Sequence, residues 1–248
     1  MTSPGRRWLY ATVIVIALAI LFINLGFWQL RRHEERQLEN DVFQSRFAAP
    51  PLTATELLIA VESDVGSLEY RRASLTGTYQ PDYEVLVRSQ VFDGVAGFHV
   101  VTPLLVEEDL AILVNRGWVP LEMDEPPVEA APSLGVAEVA GTLHPSQTRA
   151  ALGPRDQAGG HLRQVARVDI SALEAQMPWP LLPVYLVVET GDQGLPLELA
   201  EPDFEDGGPH LAYAVQWFSF ALIGVVGYLL LIRRIRGLRG REPADHLD

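Results

Sequence analysis

The sequence predicts a membrane α+β protein, in which two transmembrane helices flank an antiparallel, barrel-like, β-rich extracytoplasmic domain. Three observations carry that prediction. No charged residue occurs from Trp8 to Leu30 or from Leu211 to Ile232. Between these runs, short β-branched and aromatic stretches follow one another, punctuated by Gly, Pro and Asp. No long helical pattern separates those stretches, which disfavours a doubly wound α/β fold.

At about 1.5 Å per residue, either charge-free run can cross the roughly 30 Å hydrocarbon core of a bilayer. The first is too long for the apolar region of a signal peptide. It is followed by "GFWQLRRHEER" instead of a small-residue cleavage pattern. Neither run has the polar stripe of a helix packed on a soluble core. The expected organisation is a cytoplasmic N-terminus (1–7), a first span (8–30), a β-rich domain (31–209), a second span (210–232) and a basic tail (233–248). Orientation follows from arginine, the only basic residue besides histidine in a chain without lysine. Arg233, Arg234, Arg236, Arg239 and Arg241 follow the second span, and Arg6 and Arg7 precede the first. Basic flanks favour the cytoplasm, so both termini are expected inside, although Arg31, Arg32 and Arg36 vote the other way. The expected location is the plasma membrane, with the main domain outside.

From His33 to Pro209 there are 10 arginines against 29 Asp and Glu, whereas the whole chain has a net charge of −13. Such a surface repels phosphate backbones, so no nucleic-acid partner is expected. The absence of cysteine excludes disulfides and covalent c-type haem attachment. Copper handling is disfavoured too, because soft Cu(I) sites want thiolates or thioethers and the only methionines are Met1, Met123 and Met177.

Along the chain, Gln37 to Phe47 reads as a polar helical extension of the first span, ending before Pro50-Pro51. A helical turn follows near Thr55 to Val61, with Thr53 as its cap. Six strands are expected in "EYRRASLTGTY", "EVLVRSQ", "GFHVVTPLL", "LAILVNRGWVP", "AEVAGTLHP" and "LPVYLVVET", with turns in "VFDGVAG" and "VEEDL". A short helix in "VDISALEAQMP" would be capped by Asp169 or Ser171 and closed by Pro178. "EMDEPPVEAAPSLG" reads as a flexible surface loop, and "TGDQGLPLELAEPDFEDGGP" as an acidic approach to the second span.

The second span opens with "HLAYAVQWFSF". An ionisable residue at a membrane helix is costly unless it meets protein, water or ligand. His210, Tyr213, Ala214 and Trp217 share one helical face. Gln216 lies about 9 Å deeper than His210, where its amide favours facing another helix. The first span ends with a matching set, Asn24, Gly26, Trp28 and Gln29, then Arg31 and Arg32. A neutral imidazole, aromatic walls and arginines are what a haem needs for iron ligation, macrocycle cover and propionate pairing. Helix packing with interfacial aromatic anchors explains the same residues. His99 reads as a strand histidine. His33, His144, His161 and His246 show no metal-binding spacing, and no nucleophile or nucleotide-binding motif appears. In "VNRGWVP", Gly117 between Arg116 and Trp118 points to a bulge or turn at a strand end that re-aims both, either for a site or as a structural Arg–Trp stack.

Taken together, "LGFWQLRRHEER", "GFHVVTPL", "LVNRGWVP" and "HLAYAVQWFSFALIGVVGYL" with its basic tail resemble the Surfeit locus protein 1 family of cytochrome c oxidase assembly factors. They occur in the family's order over nearly the whole chain. The resemblance implies a chaperone that is not an enzyme and that binds or hands over haem a for subunit I of a haem-copper oxidase. Haem a synthesis enzymes and the lipid bilayer are then further partners. It implies that His210 is the haem ligand, with Tyr213, Gln216 and Trp217 around it. Trp28, Gln29 and Arg32 match the family's W-Q-x-x-R element, and Arg116, Gly117 and Trp118 its N-R-G-W element. Arg31, Arg32 or Arg116 would lie near the propionates. Arg36 stands where many members carry lysine. The competing readings are a haem-free scaffold that holds an oxidase subunit, and a membrane sensor, for which the tail after Ile232 is short.

Overall fold

The computed structural model describes residues 4–129, 132, 135–148, 161–189 and 209–239. The acidic approach to the second span and most of the basic tail lie outside these residues. The chain divides into a helical unit (Met1–Asp41 and Pro202–Asp248) and a β-rich unit (Val42–Glu201).

The helical unit pairs α1 (Pro4–Ala48, whose last turns belong to the β-rich unit) with α4 (His210–Arg239). α1 continues unbroken through the polar extension, as expected, and stops ahead of the two prolines. The helices run antiparallel and meet through small and aromatic residues. Ala214 and Ala221 are buried, and a Cβ on Gly26 would stand 2.6 Å from the Phe218 ring. Phe22 stacks on Trp217 at 5.6 Å, and Phe27 meets Phe218 edge-on at 5.4 Å. The remaining surface is apolar and bare: Leu9, Ile14, Leu222 and Ile223 are each more than half exposed. Both helices are long and apolar enough to cross a bilayer, with only 6% of either apolar window buried. A helix pair with so much uncovered apolar surface is what a membrane accommodates and water does not.

The β-rich unit begins with the last turns of α1 and then α2 (Ala54–Ser63), started by a reciprocal capping box. Thr53 N donates to Glu56 Oε2 at 2.8 Å, and Glu56 N donates to Thr53 Oγ1 at 3.4 Å. Among the described residues seven strands follow: β1 (Arg72–Tyr79), β2 (Val85–Phe92), β3 (Val95–Glu107), β4 (Leu110–Pro120), β5 (Val136–Pro145), β6 (Gln164–Val165) and β7 (Leu181–Val188). The order β1-β5-β7-β4-β3 closes on itself through a β1–β3 pairing, giving a five-stranded barrel, and β2 with β6 extends the sheet beyond β3. Five strands in a ring cannot alternate in direction throughout. One seam is therefore parallel, and it falls between β4 and β7; the other four are antiparallel.

The barrel interior holds Leu75, Leu104, Ile112, Val114, Leu143, Val184 and Leu186, packed with Leu57 of α2. A second apolar layer joins β2, β4 and β7 to α3 (Ile170–Glu174), whose N-cap is Asp169. Because β4 contributes Ile112 and Val114 to the first layer and Ala111 and Leu113 to the second, it is covered on both sides. That double burial is why its sequence reads as a continuous apolar run. The proline-rich excursion is less free than its composition implies: Pro126 and Val128 are buried, Val128 beside Leu86, Phe98 and Val119.

Candidate functional site

Among the described residues a polar cluster stands out in each unit. In the helical unit, the first turn of α4 places His210 against Gln29 of α1, with Nδ1 2.8 Å from Gln29 Oε1. Gln29 is 9% exposed, so its amide is held away from solvent. A carbonyl oxygen only accepts, so Nδ1 carries the proton and donates it. The Nε2 lone pair is then the ring's available ligand. Among the described residues Nε2 takes no partner. A histidine whose other nitrogen is tied to a fixed acceptor is the arrangement that orients metal-binding imidazoles.

The other expected residues divide around this pair. Trp217 stands on the same face of α4, engaged with Phe22, and so shapes the interface. Trp28 (48% exposed) and Tyr213 (46%) present free aromatic surface at the same end of the helix pair. Arg32 is exposed and bonds Glu35 at 2.9 Å, a surface pair that water screens and an anionic group can displace. Gln216 departs from expectation. It is exposed instead of facing α1, because Ala214, Trp217 and Phe218 occupy the contact face of that turn. These residues fit a porphyrin with one protein ligand: an imidazole of defined tautomer, uncovered aromatic rings, and arginines within the following turn of α1. Among the described residues no three His, Asp or Glu side chains converge on a metal position.

In the β-rich unit, Gly117 has φ = 146°, a conformation that favours glycine, and donates its N–H to Asn115 Oδ1 at 3.2 Å. Val100 pairs with Gly117 and Val101 with Asn115, which leaves Arg116 as the extra residue of a β-bulge. The bulge expected from the sequence is present, but inside β4 and not at a strand end, because pairing with β3 resumes from Gly117 to Pro120. It turns Arg116 inward, where it is 0% exposed, bonds Glu84 Oε2 at 3.2 Å and lies 5.5 Å from the Tyr79 ring centre. Glu84 also accepts from Thr102 Oγ1 at 2.7 Å and from Val128 N at 2.8 Å. Arg116 therefore does not serve a propionate, since its guanidinium is enclosed with its own carboxylate. Trp118 does not stack on it either; its ring lies against Phe92 at 5.6 Å.

Sequence reasoning missed Glu84. Nothing local marks it, but an arginine inside an apolar strand implies a buried counter-charge, and an acid opening a neighbouring strand was the place to look. His99 lies on β3 in the register pair with Trp118 and accepts from Asn115 Nδ2 at 3.2 Å. Burial pushes its pKa down to about 4, so it is a neutral strand histidine near pH 7.

A family model described as "SURF1 family" matches residues 16–222. A SURF1-like protein of Mycobacterium tuberculosis (strain ATCC 25618 / H37Rv) is 30% identical over 99% of this chain and 92% of its own length. A SURF1-like protein of Rickettsia felis is 26% identical over 90% of this chain and 96% of its own, and one of Monosiga brevicollis 26% over 92% and 91%.

Proposed function

Because the chain belongs to the SURF1 family, we propose that it is a membrane assembly factor for a haem-copper terminal oxidase, cytochrome c oxidase, and that it holds haem a for subunit I. It acts as a chaperone and not as an enzyme. The observation that carries the reading is the 2.8 Å contact between His210 Nδ1 and Gln29 Oε1, which leaves Nε2 as a ligand. His210 would supply that axial nitrogen, Trp28 and Tyr213 would cover the macrocycle, and Arg31 or Arg32 would meet the propionates. Tyr213, Gln216 and Trp217 follow His210 on the same helix; of these, Trp217 supports the helix contact and Gln216 is left at the surface.

The arginine-rich ends favour a plasma-membrane protein with both termini in the cytoplasm, which puts His210, Gln29 and the acidic barrel on the outer side. When bound, the haem would contribute only its iron and porphyrin as cargo. The protein's part is to fix the imidazole and offer cations to the carboxylates. Haem a synthesis enzymes are the source expected upstream. The alternative, a haem-free scaffold for an oxidase subunit, draws on the Phe22–Trp217 packing, which gives His210 a structural neighbourhood of its own.

The test is the visible spectrum of the detergent-purified protein, co-expressed with haem a synthesis, beside His210→Ala. A one-to-one haem signal that vanishes in the variant, with β content unchanged by circular dichroism, is expected. Equal haem in both proteins would overturn the ligand assignment, and no haem in either would leave the scaffold reading.

A further inference from the structure

The two ends of the helix pair carry different chemistry, and the end remote from His210 has its own cavity. There, Thr12 Oγ1 donates to Trp8 O at 2.9 Å and so accepts from the Tyr228 hydroxyl, clasping the helices together. From this clasp toward both chain ends runs a groove of about 300 Å³, lined by Trp8, Thr12, Tyr228, Ile232, Ile235 and Arg236. Its lining combines the apolar side chains of Trp8, Ile232 and Ile235 with the hydroxyls of Thr12 and Tyr228, and its outermost side chain is an exposed arginine. Among the described residues no carboxylate lies on either helix at this end; the acidic residues of α1 begin at Glu34. Arg6, Arg233 and Arg234 are exposed nearby in the sequence and reinforce the positive field.

We propose that this groove binds one anionic phospholipid, its acyl chain against Trp8, Ile232 and Ile235 and its phosphate at Arg236. The proposal rests on membrane insertion of the helix pair and is independent of haem. The volume is at the lower end of that of small-molecule sites, enough for part of one chain, whereas a helix about 10 Å across would not enter. Charge selects among lipids. A zwitterionic lipid makes the same chain contacts but brings no net negative charge to an arginine that, among the described residues, has no carboxylate at this end of either helix. An arginine close to an anionic headgroup contributes about 1 kcal/mol, a preference of about fivefold. Free phosphate could meet Arg236 but would leave the apolar side chains uncovered.

The full-length protein in mild detergent, given equal amounts of phosphatidylglycerol and phosphatidylcholine with identical chains, would be examined by native mass spectrometry. A one-lipid adduct favouring phosphatidylglycerol about fivefold is expected. Arg236→Gln should bring the ratio to one. Ile235→Trp, which fills the groove and keeps the arginine, should lower retention of both lipids. Equal retention of the two lipids by the wild type would overturn the proposal. So would a preference that falls as much in Arg6→Gln as in Arg236→Gln, which marks a diffuse basic belt. Displacement of the adduct by excess inorganic phosphate would also overturn it, in favour of a plain anion site. Haem retention by the same samples reads out the other end separately.

Discussion

In the barrel, Glu84 accepts from Arg116, Thr102 and Val128, and both charges are sealed from solvent. In the helix pair, His210 commits one ring nitrogen to Gln29 and leaves the other without a protein partner among the described residues. Both clusters bury polar atoms, yet only one retains unused bonding capacity. A buried ionic network that satisfies itself makes the surrounding structure specific and has little left for a ligand. A half-satisfied imidazole at the end of a helix keeps a lone pair that the protein itself does not use among the described residues. The two arginine-bearing motifs that look alike in sequence, W-Q-L-R-R and N-R-G-W, thus have different uses: Arg31 and Arg32 face outward, and Arg116 holds the barrel.

The comparison is broken most directly at the barrel. Arg116→Ala strands the Glu84 carboxylate and should cost about 3–5 kcal/mol in denaturant unfolding of the β signal. The double replacement Arg116→Met with Glu84→Gln should recover much of that loss, because no unpaired charge remains and an amide oxygen still accepts from Val128 N. If the single and double variants were equally unstable, the pair would be a packing device and not an ionic one. At the helix pair, Gln29→Leu removes the acceptor that orients His210. It should weaken haem binding about 10–100-fold with no change in the barrel's unfolding. Haem affinity unchanged in that variant would reduce the His210–Gln29 bond to a helix clasp.

Gly117→Ala forces a side chain into a backbone conformation that favours glycine and should cost about 1–3 kcal/mol, read in the same unfolding experiment. The smallest effect concerns pH. The folded His99 titrates near 4 and the unfolded one near 6.5, so between these values the unfolded chain binds more protons. Stability from this residue is therefore full above about pH 6.5 and declines as the pH falls toward 4. The decline should amount to about 1–2 kcal/mol once partial exposure is discounted, and His99→Phe should reduce the overall pH dependence by that amount. Because His144 is also pushed down by burial, the slope in that variant falls without reaching zero.

Much of this architecture is legible in the chain because period and punctuation agree. Six of the seven strands, the α2 cap at Thr53, the Asp169 cap and the bulge at Gly117 all follow from local chemistry. β6 is illegible because two residues carry no period. Its existence depends on Leu86 and Val87 lying alongside. The Glu84–Arg116 pair is illegible for a different reason: its members are 32 positions apart, and although Arg116 sits in an apolar run, nothing local marks Glu84 as its partner. Gln216 shows the limit of depth arguments, since depth along a helix says nothing of azimuth. At the helix ends, His210, Trp28 and Gln29 could be named from the sequence, but only coordinates reveal which of them touch.

The parallel seam has a kinetic consequence. Asn115 of β4 pairs with Val187 of β7, residues roughly 70 positions apart, whereas β3 and β4 join through a tight turn. The β3–β4 hairpin can therefore form early during synthesis. The opposite edge of β4 must wait, unpaired and apolar, until nearly all of the barrel segment has emerged. Bare strand edges of this kind seed aggregation while they last. Arg116 and Glu84, with their partners Thr102 and Val128, all precede β5, so this ionic cluster can assemble on the β3–β4 hairpin before the parallel seam forms.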